Sequence, residues 1–350
     1  MIATYGITKQ PQPDTGGTMQ TLLGLDSGNG FIKAITDKGE RAILPSIIAT
    51  PSEYFDGGVV AQNGVSVLYA GGSRSDLVGK RILVGDIAYN AAPLNHISIA
   101  KHPQAKADYA LELLLGAVGL LPQSDRLIIP VISIHDSSTF GDQIKQQIEG
   151  THRVVYDAQG LTIEIKNTAI SPEGMGVYYY LLKTKKVSLD SLVLLLDLGF
   201  GTSIYTAFIQ GKILDRKVFR WGVRDLLGYI AQAPALRKAL SGVEGDTQVI
   251  RSAIENKTYS YRTEDGDFDF RDQYQQALNT WATSNLKQAL DVMRPRLPKA
   301  NHLFLAGGGA SLPGIAKFFT KKKFEVLENN QTINALGLLA IAKSRNGGKN

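Results

Sequence analysis

The chain of 350 residues contains no cysteine. This excludes disulfides, thiolate metal sites and cysteine nucleophiles, and it suits a reducing, cytoplasmic setting. Its five histidines, at positions 96, 102, 135, 152 and 302, include no i,i+4 pair, so no zinc site is expected. Long apolar runs are also missing: the stretch Leu192 to Leu196 is far too short to span a bilayer. No basic segment followed by an apolar one opens the chain, so no export signal is expected. The end, Ser344 to Asn350, has no amphipathic pattern, and no membrane anchor is expected there. The net charge is a modest +6, and the only dense basic stretch is Lys321-Lys322-Lys323. That triplet reads as a solvated helix end, so direct sequence-specific binding to nucleic acid is not expected.

What the chain does have is the pattern Asp-x-Gly-x-Gly, twice. The first copy is Asp26-Ser27-Gly28-Asn29-Gly30 and the second is Asp197-Leu198-Gly199-Phe200-Gly201, 171 residues later. Each follows an apolar strand (TLLGLD, SLVLLLD) and precedes another (FIKAIT, TSIYTAFI). Further turns at Asp37-Lys38-Gly39 and Gln210-Gly211-Lys212 lead into RAILPSII and ILDRKVF. Both copies therefore read as β-meanders. A dinucleotide fold passes from strand through glycine turn to helix. Here the glycines lie inside hairpins, and Lys33 and Ile204 occupy the place of the final glycine, which excludes that fold. A repeat this long is a domain duplication, not a solenoid.

Residues 1–20 carry no apolar period and read as a disordered arm, as does the tail 344–350. Residues 106–121 have helical periodicity, RLIIPVISI (126–134) reads as a buried strand, and DSSTFGDQIKQQIEG as a loop leading into a helix. Helices are expected at 223–232, 235–241, around TQVIRSAIEN, at 273–293 and over TINALGLLAIAKS. HLFLAGGG reads as a strand ending in a turn. The acidic stretch Glu264 to Asp272 lacks the glycine and glutamate of a calcium loop and reads as a hairpin around Asp265-Gly266.

Two carboxylates at strand ends, Asp26 and Asp197, facing one phosphate chain would hold a hydrated Mg²⁺. The glycines beside them let backbone N–H groups approach phosphate oxygens. Lys33, seven residues after Asp26, either points back to the phosphates or is a plain exposed lysine. Ser171-Pro172-Glu173-Gly174 has the chemistry of a helix start, with Ser171 as N-cap. Glu173 can alternatively orient an attacking water, since phosphoryl transfer asks mainly for positioning and charge. Gly307-Gly308-Gly309 is either a tight strand-to-helix turn or a flat surface for an adenine ring.

Together these motifs resemble the actin, sugar-kinase and heat-shock chaperone ATPase superfamily. LLGLDSGNGFIKA and LLLDLGFGTSI look like its two phosphate motifs, FLAGGGASLPG like its adenosine motif, and SPEGMGVYYYLL and INALGLLAIA like its connecting helices. Within it the chain is most similar to the bacterial actin-like proteins of the ParM type, through the Asp26-to-Lys33 spacing, Pro172-Glu173, and Gly222, Asp225 and Leu226. The resemblance implies an α/β, actin-like two-domain ATPase fold, with duplicated ribonuclease H-like domains, each containing a β-meander, around a nucleotide cleft. The first domain would span 21–193 with 332–343 returning to it and 36–105 forming a smaller subdomain; the second would span 194–331. ATP or ADP would be bound by Asp26, Ser27, Gly28, Asn29, Gly30, Lys33, Gly199, Phe200, Gly201, Thr202, Glu255 (on the ribose), Gly307, Gly308 and Gly309. Asp26 and Asp197 would hold Mg²⁺ through water, with Glu173 and Asp197 catalytic. The implied activity is slow ATP hydrolysis coupled to homopolymeric filaments, with a small DNA-binding adaptor as partner, for plasmid segregation or a derived cytoskeletal role. A small-molecule kinase on the same fold is the alternative. Phe200 and Asn29 are bulkier than is usual in such turns, and an N-terminal arm is unusual for the family.

Overall fold

The computed structural model describes residues 19–52, 55, 63–101 and 104–347. The first apolar run forms β1 (Met19–Ser27), which turns at Gly28–Gly30 into β2 (Phe31–Thr36) and then β3 (Arg41–Pro45). β1 thus begins at Met19, two residues inside the segment expected as an arm; the rest of that arm lies outside the described residues. The chain continues through β4 (Ile47–Ala49), β5 (Gly64–Gly72), β6 (Arg81–Gly85), α1 (Asp86–Ala91) and β7 (Ile97–Ser98). The apolar period after residue 105 gives α2 (Ala105–Asp108) and α3 (Ala110–Gly119), broken at Tyr109. Then follow β8 (Arg126–Ile134), α4 (Ser137–Ile148), β9 (Gly150–Tyr156), β10 (Gln159–Ile165), β11 (Ala169–Pro172) and α5 (Met175–Lys183).

Two expectations are corrected here. The segment after Asp136 is not a loop, because Asp136 caps α4 by accepting from the Thr139 N–H at 3.0 Å. Nor is Ser171 an N-cap. It pairs with Ser133 in the β11–β8 ladder, and α5 starts only at Met175, behind Gly174 at φ 87°. Pairing with a buried central strand outweighs local capping chemistry.

The second half repeats the pattern with β12 (Val193–Leu198), β13 (Ser203–Ile209) and β14 (Lys212–Phe219). Helices α6 (Val223–Ala231), α7 (Pro234–Ala239) and α8 (Thr247–Glu255) follow, then the hairpin β15 (Ser260–Thr263) and β16 (Gly266–Asp269). The long helix is α9 (Arg271–Trp281) and α10 (Lys287–Met293), joined by a π-helical turn. The chain closes with β17 (His302–Ala306), α11 (Ile315–Thr320), β18 (Glu325–Val326) and α12 (Ile333–Arg345). α12 runs two residues into the expected tail.

The duplication is visible in the sheets. Five neighbouring strands of the eleven-stranded sheet run β3-β2-β1-β8-β10, and the five-stranded sheet runs β14-β13-β12-β17-β18. In both, the first meander strand is central among the five and pairs parallel with its neighbour outside the meander, β1 with β8 and β12 with β17. The registers match as well: Asp26 faces Lys33, and Asp197 faces Ile204. Each sheet has its own apolar core, with α3 on the first and α6, α9 and α10 on the second.

Two helices lie between the sheets. α5 buries Val177, Tyr178 and Leu181 against the second, where Tyr178 stacks on Phe208 at 4.4 Å. α12 lies on the first, its Ala335, Leu338 and Leu339 packing near Ile35 and Val131. The two helices cross at Gly176 and Gly337, where a Cβ on Gly337 would run into the Gly176 carbonyl. Only glycine allows backbones to approach this closely.

Candidate active site

Strand alternation sends Asp26 to one face of β1 and Ser27 to the other. The hairpin register then places Lys33 opposite Asp26, its Nζ donating to Oδ2 at 2.9 Å. Ser133 on β8 and Asn334 on α12 each donate to Oδ1 at 2.9 Å. Burial alone would push the Asp26 carboxyl up, but the Lys33 ammonium and these hydrogen bonds more than reverse it and hold it below the usual range. Burial likewise opposes the charge on Lys33, and Asp26 keeps it protonated.

Asp197 has the opposite environment. Ile204 offers it no cation, and no side-chain hydrogen bond reaches its carboxylate among the described residues. Burial, with Asp26 and Glu173 nearby, pushes its carboxyl up to about 7. Glu173 follows β11, its N–H donating to the Ile134 carbonyl at 3.1 Å. Its Oε1 accepts from Lys106 Nζ at 2.5 Å, and its carbonyl accepts from Arg216 at 2.6 Å.

Asp26, Lys33, Glu173 and Asp197 line one cavity of 370 Å³, with residues of both duplicated turns around it. Gly28, Asn29 and Gly30 form one wall, Gly199, Phe200 and Thr202 another, and Gly307, Gly308 and Gly309 a third. Glu255 and Arg251 on α8 and Leu312 and Pro313 after β17 complete it. Arg251 reaches across to stack its guanidinium 4.5 Å from the Phe31 ring centre, and its Nε has no hydrogen bond. Gly307 takes φ 85°, and a side chain there would collide with the Asp197 carboxylate. Of the residues expected in the site, Ser27 and Gly201 do not line the cavity. Ser27 faces away, and Gly201 packs on Asn29, where a Cβ would lie 3.1 Å from Nδ2.

The two duplicated turns touch each other. Asn29 Nδ2 donates to Thr202 Oγ1 at 3.3 Å, and a Cβ on Gly30 would lie 2.5 Å from Phe200 Cβ. Phe200 also walls a second cavity of 580 Å³ at the outer mouth of the cleft. Two hydrogen bonds span that mouth, from Tyr89 Oη to Asp246 and from Arg224 to the Ala100 carbonyl.

Sequence reasoning missed Lys106, Ser133, Asn334, Arg216 and Arg251. Three of them carried a usable signal. Lys106 opens an apolar helix, Ser133 interrupts an apolar strand, and Asn334 sits on a helix otherwise apolar on most sides. A lone polar group in such a setting must find a buried partner.

Comparisons with known proteins bear on the fold that carries this cavity. Residues 24–176 match the family described as "Actin like proteins N terminal domain". No curated protein sequence matches the chain. Among solved structures, pCBH ParM, as a non-polymerisable quadruple mutant, superposes with a TM-score of 0.74 at 19% identity, over 93% of this chain and 99% of that one. The ParM of a 15-stranded filament from Clostridium botulinum gives 0.73 at 18%, over 93% of this chain and 100% of that one. The archaeal actin homolog Ta0583, in complex with ADP, gives 0.73 at 18%, over 93% and 99%.

Proposed function

On an actin-like fold, we propose that this chain binds ATP and hydrolyses it slowly to ADP and phosphate. We further propose that it assembles into nucleotide-dependent filaments, for plasmid or other DNA segregation or a derived cytoskeletal role. The observation that carries the reading is the arrangement of the duplicated turns. Asp26 and Asp197, at equivalent places in two meanders, face one cavity together with Lys33 and Glu173.

In this reading the turn amides of Gly28–Gly30 and Gly199–Thr202 receive the phosphate oxygens, and Lys33 offsets their charge. The Gly307–Gly309 backbone takes the adenine ring, and Glu255 accepts from the ribose hydroxyls. Glu173 accepts a hydrogen bond from the attacking water and aims it at the terminal phosphorus. Transfer to water then depends on positioning and charge more than on a strong base.

The residues fit a hydrated Mg²⁺. Asp197 is a carboxylate without a protein cation of its own opposite it, and Asp26 stands nearby. Bound there, the ion would neutralise phosphate charge.

The filament reading draws on likeness to ParM, one relative of which is a 15-stranded filament. Self-association is thus the first partnership proposed, and a small DNA-binding adaptor docking on the filament the second. No described helix is long and apolar enough to cross a membrane. Light scattering after ATP addition, with negative-stain imaging, tests assembly. Polymer that forms with ATP and disassembles as ADP accumulates supports the proposal; no polymer across nucleotides and salt concentrations refutes it.

A further inference from the structure

Three of the acids lining the cavity are unequally provided with cations. Asp26 has Lys33, Asp197 has none opposite it, and Glu173 has Lys106. Lys106 is only 1% exposed, and the Glu173 side chain only 10%. Burying an ammonium and a carboxylate together gains little stability, because desolvation opposes their attraction. The pair therefore calls for an explanation other than stability.

Geometry provides one. With Nζ on Oε1 at 2.5 Å, the Glu173 carboxylate cannot rotate freely, and Oε2 is left without a hydrogen bond among the described residues. Arg216 fixes the same residue from its backbone side, through the Glu173 carbonyl. A carboxylate held at one oxygen and at its main chain offers its other oxygen in a defined direction. It also presents less net negative charge to an incoming polyphosphate.

We propose that Lys106 is a positioning residue for the hydrolytic step, acting through Glu173. It orients the carboxylate that aims the water and offsets a charge that would otherwise repel the terminal phosphate. This rests on the role given to Glu173 above.

The test is a double-mutant cycle on the full chain with Lys106→Met and Glu173→Gln. Single-turnover ATP hydrolysis is read alongside the affinity of a fluorescent ATP analogue. Lys106→Met lowers the single-turnover rate by about 10–100-fold, the range seen when a partner of a functional group is removed, with affinity changed less than about threefold. In the Glu173→Gln background it produces no further loss, because its target is already gone. An equal fractional loss in both backgrounds assigns Lys106 a purely structural role and overturns the proposal. A parent-like rate in Lys106→Met, with Glu173→Gln inactive, also overturns it while leaving Glu173 in place. A parent-like rate in Glu173→Gln removes the Glu173 reading, and this proposal with it. If Lys106→Met does not fold, Lys106→Gln, which keeps a donor without the charge, is read in the same way.

Discussion

Lys33 stands opposite Asp26 in the β1–β2 ladder, Nζ 2.9 Å from Oδ2, and Ile204 holds the matching place opposite Asp197. The duplication has thus produced two acids with different partners. Lys33→Met strands the Asp26 carboxylate in a buried site. Breaking a buried pair from one side costs about 3–5 kcal/mol, so the nucleotide-free variant should unfold at lower urea. Lys33→Met/Asp26→Asn should recover much of the loss. If the single variant unfolds at the parent midpoint, the pair contributes nothing.

Asp197 provides a pH signature. Its carboxyl is raised from 3.8 to about 7 in the folded protein. Between those values the folded chain keeps a proton that the unfolded chain releases, so this group's contribution to stability falls as pH rises. In nucleotide-free, metal-free protein, Asp197→Asn should melt higher than the parent at pH 8, with the gap closing toward pH 4. Each kcal/mol of relief raises the melting temperature by about 2–4 °C. A gap of equal size at both pH values would contradict the raised carboxyl.

Gly30 and Phe200 test the contact between the turns. A methyl group on Gly30 would lie 2.5 Å from Phe200 Cβ, forcing the two walls of the cavity apart. Overpacking of this kind costs about 1–3 kcal/mol, which is about 5- to 150-fold in affinity if it falls on binding. Gly30→Ala should therefore bind ATP more weakly, and adding Phe200→Gly should restore part of the loss. Titration with a fluorescent nucleotide reads both; no rescue would mean that the turns do not limit binding.

Two helical glycines should respond to alanine with opposite signs. Gly228 on α6 has open space around it, so Gly228→Ala should gain about 1 kcal/mol of helix propensity. Gly337 on α12 lies against the Gly176 carbonyl. There the same substitution gains the same propensity and loses the helix crossing, and the melting temperature should fall. A rise in both would show that the helices can move apart at no cost.

Much of the fold could be read from residue pattern because its signals are local. The meanders carry apolar alternation and glycine turns, and the seven-residue step from Asp26 to Lys33 is a hairpin register. By contrast, β9 and β10 meet at Asp157-Ala158, with Asp157 at φ 45°, a turn without glycine or asparagine. Ser171 and Pro172 imitate a helix start and are claimed by β8 instead. The site was legible where side chains flank glycines. Lys106, Ser133 and Asn334 each signal a buried partner, but its identity was not legible, because the partners lie 67, 107 and 308 residues away. Only the topology joins them.

The glycine crossing of α5 and α12 has a mechanical consequence. Glu173 stands three residues before Gly176, and Asn334, which binds Asp26, three before Gly337. The reacting groups are thus gathered at the fulcrum, while the Tyr89–Asp246 contact bridges the rim beyond Phe200. In the proposed reading, a small swing about that fulcrum would open or shut the rim while leaving the acids almost stationary, so nucleotide entry would not disturb their alignment.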